Sequence, residues 1–187
     1  MIIKSHLIEQ DISIIDKYKC VLIYGENEGL KKEIVEKIKQ IKNTEIIDLF
    51  NQDLNNTNIF EIQTVNLSLF QKKKIIIIYN PKELFLDRIK ESVEYQNDFK
   101  LIILSGLLTK KSNIRSFCEQ EKNIITIPCY NDTKFNLANL IKSQLNQLNG
   151  LTPTIINQIL EKTGNERQKV KEEIDKIKLY FFKKKLN

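Results

Sequence analysis

The chain has 187 residues, 41% of them hydrophobic, with 30 Lys or Arg against 24 Asp or Glu and a formal net charge of +6. This is ordinary globular material, long enough for one good core plus a small appended unit. No apolar run approaches the roughly 20 residues that a membrane helix needs. Met1-Ile2-Ile3-Lys4-Ser5-His6 also lacks the layout of a signal peptide, so a cytoplasmic protein without a membrane partner is expected.

In chain order, five apolar segments read as strands: Cys20 to Tyr24, Glu45 to Phe50, Lys74 to Tyr79, Lys100 to Leu104 and Ile124 to Pro128. Helical patterns fill the gaps. Leu30, Ile34, Ile38 and Ile41 make a stripe facing a sheet, and Leu84, Phe85, Ile89 and Val93 suggest another. Alternation of this kind predicts a parallel α/β sheet. The third and fourth segments are continuously apolar, as strands covered on both faces are, so they are expected to be central.

After Pro128 the strands stop. Phe135, Leu137, Leu140, Ile141, Leu145 and Leu148 form a helical stripe that Asn149-Gly150 is expected to end. Thr152-Pro153 reads as an N-cap followed by proline at the first helical position, opening a helix through Leu160 that stops near Gly164. Asn165 is expected to cap a last helix carrying Val170, Ile174, Ile177 and Tyr180 before Lys183-Lys184-Lys185. The domains expected are thus an α/β domain over residues 1–130 and a small helical domain over 131–187.

The basic balance raises the question of nucleic acid, because Lys and Arg neutralise phosphates. Only Arg88, Arg115 and Arg167 are arginines, whereas planar recognition of phosphates and bases favours Arg. The lysine excess accompanies abundant Ile and Asn along the whole chain and reads mainly as compositional drift. Cys20, Cys118 and Cys129 lack metal-type spacing and read as buried reduced thiols.

The first strand runs into Gly25-Glu26-Asn27-Glu28-Gly29-Leu30-Lys31-Lys32, where an α/β nucleotide-binding protein holds phosphate. The phosphate-loop pattern asks for Gly at 30, Lys at 31 and Ser or Thr at 32, and only Lys31 answers. Leu30 replaces a glycine that lets backbone wrap the phosphates. Lys32 replaces the hydroxyl that binds magnesium, and Glu26 and Glu28 oppose an anion. The third strand ends in Tyr79-Asn80-Pro81 and the fourth in Ser105-Gly106, with no carboxylate to organise metal and water. No bound ATP, no other cofactor, no metal and no catalytic residue are expected. His6 is the one histidine and reads as an exposed bystander, and the carboxylates at helical spacing among lysines, such as Glu172, Glu173 and Asp175 with Lys176, read as solvated faces.

Ser68-Leu69-Phe70 lies between a helical segment and the third strand, with two large neighbouring hydrophobes where chains usually run over the surface. Such a pair either folds back on the core or is offered to a partner, and on residue type alone the core reading is favoured.

Several of these segments together resemble the delta subunit of the bacterial DNA polymerase III clamp loader. Val21-Leu22-Ile23-Tyr24-Gly25-Glu26-Asn27 resembles the family's opening strand and turn, which likewise lacks a working phosphate loop. Ser68-Leu69-Phe70, followed by basic residues and an apolar strand, resembles its clamp-binding element. Gly164-Asn165, then Val170 and Glu172 to Tyr180, is similar to the signature helix of its second domain.

The resemblance covers about residues 18–182 and implies an AAA+-type α/β domain with a helical lid. It implies a non-catalytic subunit that binds the sliding clamp through Leu69 and Phe70 and opens it for loading onto primed DNA. ATP hydrolysis would fall to sister subunits, and contact with DNA would be indirect or weak. The family continues into a collar domain, and this sequence stops at Asn187 before one, so a fragment or a protein without a collar is expected. Two other readings stay open: an inactive AAA+-like adaptor for nucleic acid or another protein, and an ATPase with an atypical loop dependent on Lys31.

Overall fold

The computed structural model describes residues 1–41, 44–56, 73–94 and 99–184, and the chain divides into two compact units. The first comprises Met1–Glu26 and Lys31–Cys129; the second comprises Asn27–Leu30 and the chain from Tyr130 onward.

The first unit is built on five parallel strands: β1 (Cys20–Tyr24), β2 (Thr44–Leu49), β3 (Lys73–Tyr79), β4 (Phe99–Ser105) and β5 (Ile124–Pro128). Their order is β2-β3-β4-β1-β5, so β3 and β4 are interior as their unbroken apolar runs require. β1 is interior as well, and all five of its residues are buried. Cys20 pairs with Leu101 on one side and Ile124 on the other, which fixes the register.

Alternate strand residues point to opposite faces. On one face Cys20, Leu22, Ile76, Ile78, Leu101 and Ile103 join a core with Leu54 of α3 (Asn51–Asn56), Ile89 and Val93 of α4 (Leu86–Glu94), and Ile114 and Cys118 of α5 (Asn113–Gln120). The other set, including Val21, Ile23, Ile77 and Ile102, is equally buried, and α2 (Glu28–Lys39) contributes buried Ile34 and Ile38. Ahead of β1 stand α1 (Ser5–Gln10) and a 3₁₀ turn, Ile12–Lys17. The outer edge of β5 is covered by the chain start: the Met1 amino group donates to the Ile124 carbonyl at 2.9 Å and Ile3 N donates to Thr126 O at 3.0 Å. That pairing removes an open edge.

The second unit packs α6 (Lys134–Gln144), α7 (Pro153–Lys162) and α8 (Arg167–Lys184) around Leu137, Ile141, Leu145, Ile156, Leu160, Val170 and Ile174. Thr152 caps α7 as expected, its hydroxyl accepting from Ile155 N at 3.3 Å, with Pro153 at the first helical position.

Helix details depart from expectation in identifiable ways. α6 ends at Gln144, not at Asn149-Gly150, because Leu145 leaves helical dihedrals and Leu148 N turns back to Leu145 O. Phe135 is 72% exposed, since it stands two residues from Leu137 and so on the opposite side of α6. Leu84 is 67% exposed, because in the 3₁₀ turn Glu83–Phe85 its neighbour Phe85 takes the inward position. Tyr180 is 56% exposed: α8 has 18 residues against 11 and 10 in α6 and α7, and its last turns outrun their packing. Asn165 does not cap α8. It sits at φ 58 in the turn before the helix, its Oδ1 is buried without a hydrogen-bond partner, and the first helical bond runs from Val170 N to Glu166 O.

Candidate functional site

The segment Gly25 to Lys32 comprises the turn after β1 and the start of α2, at the carboxyl end of a central parallel strand. This is where open α/β sheets receive ligands. In the first unit Gly25 adopts φ 138, and a Cβ added there would lie 2.1 Å from the Cys129 carbonyl oxygen. In the second unit a Cβ on Gly29 would lie 3.0 Å from the Gln168 backbone nitrogen and 3.3 Å from the Arg167 Cβ. The space each glycine opens is thus filled by protein, and neither presents bare backbone to a phosphate.

Lys31, the one residue that fits the phosphate-loop pattern, is buried, and its Nζ donates to the Ser105 carbonyl at 2.9 Å. Leu30 is buried and its backbone N–H donates to Asn27 Oδ1 at 3.0 Å. Lys32, Glu26 and Glu28 are exposed. The ends of β3 and β4 are tied together in place of a metal-binding carboxylate. Asn80, at φ 47, donates its N–H to Leu104 O at 2.7 Å, and its Oδ1 accepts from Gly106 N at 2.9 Å. Among the described residues no group of three or more His, Cys, Asp or Glu side chains could hold a metal ion.

Asp132 and Asn27 are residues that the sequence pattern did not single out. Asp132 Oδ2 accepts from Arg167 Nη1 at 3.1 Å and from Asn27 Nδ2 at 2.8 Å, and the Asp132 and Arg167 side chains are only 9% and 5% exposed. The contact spans 35 residues of sequence, so periodicity carries no trace of it. The one signal in the sequence was the rarity of arginine, Arg167 being one of three in a lysine-rich chain.

Several lysines serve the fold. Lys37 Nζ donates to Glu9 O at 2.7 Å near the end of α1, and Lys100 Nζ donates to Ile15 O and Tyr18 O at 2.5 and 2.7 Å. Each supplies a donor to a carbonyl left over at the end of a helical turn. The three cysteines are buried and unbridged. Burial pushes the Cys118 thiol up to about 12 and that of Cys20 well above its ordinary value. His6 is exposed.

Ser68, Leu69 and Phe70, the expected clamp-binding residues, lie outside the described residues. No helix among the described residues is long and apolar enough to cross a membrane.

No protein-family model and no curated protein matches the sequence. Solved structures do match. The Bacillus subtilis DNA clamp loader delta protein (YqeN) superposes with a TM-score of 0.63 at 11% identity, covering 95% of this chain and 57% of that one. A chain of the HORMA:CdnC:Trip13 complex of E. coli MS115-1 superposes with a TM-score of 0.53 at 13% identity, covering 81% of this chain and 62% of that one. The chain therefore spans about three-fifths of the length of the proteins it resembles. At these identities the likeness establishes architecture: the chain has an AAA+-like α/β fold, a parallel sheet with helices on both faces and a helical unit after it.

Proposed function

We propose that this chain is a delta-type clamp-loader subunit, which binds a sliding clamp and holds one of its interfaces open for loading onto primed DNA, without hydrolysing ATP itself. The observation that carries the reading is the likeness to the clamp loader delta protein over nearly the whole chain. Ser68-Leu69-Phe70 falls between α3 and β3, and the phosphate-loop glycines and Lys31 are engaged by the protein's own backbone.

In this reading residues 1–130 carry clamp binding and residues 131–187 form the lid. Leu69 and Phe70 enter an apolar pocket of the clamp, and full burial contributes roughly 1.5–3 kcal/mol each, the scale of a small hot spot. Opening then requires tighter binding to the open clamp than to the closed one. Nucleotide hydrolysis belongs to the partner ATPase subunits of the loader, and contact with primed DNA is indirect or weak.

A clamp-release assay tests it. Incubated with clamps preloaded on nicked circular DNA, the protein is expected to speed their dissociation without ATP; an unchanged release rate argues against clamp opening. A second reading, an inactive AAA+-like adaptor for nucleic acid or another protein, draws support from the likeness to a chain of the HORMA complex. It predicts no effect on the clamp.

A further inference from the structure

Three loops leave the carboxyl ends of β2, β3 and β4, which are neighbours in the sheet, and each displays a large apolar side chain to solvent. Phe50 follows β2 and is 54% exposed, Leu84 stands in the 3₁₀ turn after β3, and Leu107 follows β4 and is 56% exposed. In two of the loops the core takes the next residue instead: Phe85 is buried, and Leu108 packs against the same core. The outward leucines are surplus to that packing. Three such side chains on adjacent loops form an apolar row rather than scattered exposure.

The loops are tied to one another. Asn51 Nδ2 donates to Asn80 O at 2.9 Å and Asn51 Oδ1 accepts from Lys82 N at 3.2 Å, joining the first loop to the second. Glu83 joins the second to the third: its Oε1 accepts from the Ser112 hydroxyl at 2.6 Å, and its Oε2 from Asn113 N and Ile114 N at 3.1 and 3.2 Å. The Phe50 ring is stacked on that of Tyr79, with centroids 4.9 Å apart. A surface held in this way is ordered before anything binds, which lowers the entropy lost on association.

Charge around the row is uneven. Asp48 pairs with Lys39 at 2.8 Å and Asp87 with Lys90 at 3.0 Å, while Asp53 accepts the Phe50 N–H beside α3 and Glu83 accepts those at the start of α5. Lys82, Lys110 and Lys111, on the second and third loops, are exposed, and their ammonium groups have no partner among the described residues. An occupant that covers the row and answers these lysines carries apolar side chains and carboxylates together.

We propose that this edge of the sheet docks an acidic, amphipathic peptide segment of a partner protein, its apolar side chains on Phe50, Leu84 and Leu107 and its carboxylates facing Lys82, Lys110 and Lys111. A single strand of nucleic acid would also answer the lysines. Leucines, however, offer no ring for a base to stack on, and these cations lack the planar fork of Arg. The proposal uses none of Ser68, Leu69 and Phe70 and does not rest on the clamp reading.

Fluorescence anisotropy tests it on the full chain with three labelled probes. These are a peptide of about 15 residues with Leu or Phe at every third or fourth position and Asp or Glu between them, the same peptide with Lys for every acid, and a thymidine oligonucleotide of similar length. Saturable, salt-sensitive binding of the acidic peptide is expected, weakened at least about tenfold by Leu84→Ser/Leu107→Ser and by Lys110→Glu/Lys111→Glu. Both variants change exposed side chains and are expected to keep the wild-type circular dichroism; should either unfold, Leu84→Ala/Leu107→Ala and Lys110→Gln/Lys111→Gln take their place. No binding of the acidic peptide, equal affinity for its lysine counterpart, or an affinity unchanged in either folded variant would overturn the proposal. Binding of the oligonucleotide alone would make the edge a nucleic-acid surface instead.

Discussion

The Nζ of Lys31 donates to the carbonyl oxygen of Ser105 at 2.9 Å, joining the start of α2 to the last residue of β4, 74 positions apart in sequence. The residue that a phosphate loop would spend on a nucleotide is here spent on the sheet. A buried carbonyl that loses its donor costs about 1–3 kcal/mol. Lys31→Met is therefore expected to lower the free energy of unfolding by that amount in urea titrations. Millimolar ATP is expected to shift the melting of neither protein. A wild type stabilised by ATP, with the shift lost in the variant, would make Lys31 a ligand group instead.

The two loop glycines make a related prediction about close approach. Gly25→Ala would set a Cβ 2.1 Å from the Cys129 carbonyl at a φ of 138 that side chains rarely adopt, and it is expected to cost at least about 3 kcal/mol. Gly29→Ala meets the Gln168 nitrogen at 3.0 Å with no positive φ, and a smaller loss of about 1 kcal/mol is expected. Denaturation curves rank the two, and a Gly25→Ala protein as stable as wild type would contradict the packing described.

The buried thiols govern stability at high pH. Burial raises the Cys118 thiol from an ordinary value of 9.0 to about 12. Between those values the unfolded chain releases a proton that the folded chain keeps. The unfolded state then binds fewer protons, and stability falls as pH rises, by about 1.4 kcal/mol per pH unit for this thiol. Below 9 its contribution is constant. Wild type is expected to lose stability relative to Cys118→Ala as pH is raised from 9 towards 12; Cys20, present in both proteins, lowers the stability of each with the same sign and cancels from the difference. A difference between the two proteins that is independent of pH would show Cys118 to be reachable by water.

Much of the architecture was legible because the sheet is written in uninterrupted apolar runs. β1 and β5 begin and end where those runs do, β3 begins one residue earlier, β4 is one residue longer at each end, and β2 is shifted by one residue towards the chain start at both ends. The helices were legible as stripes and misread at the stripes' margins. Leu84, Phe135 and Tyr180 continue the pattern along the chain, but periodicity cannot tell whether a partner helix extends that far. α1 and α3, six residues each, were too short to show a period.

The polar wiring was illegible for a different reason. Arg167 with Asp132, Lys31 with Ser105 and Asn80 with Gly106 are long-range pairs made after the chain folds, and no local rule links their members. The loop's departures from the phosphate pattern were plain in the sequence. What fills the space beside Gly25 and Gly29 was not.

The most direct test of the account is calorimetric titration of this protein with the sliding clamp of the same organism, run beside a Leu69→Ala/Phe70→Ala double variant shown to be folded by circular dichroism. Saturable binding by the wild type is expected, with a loss of roughly 3–6 kcal/mol of binding free energy in the variant, the sum for two buried apolar side chains. Absence of binding by the folded wild type, or equal affinity of the folded variant, would contradict the proposed clamp contact.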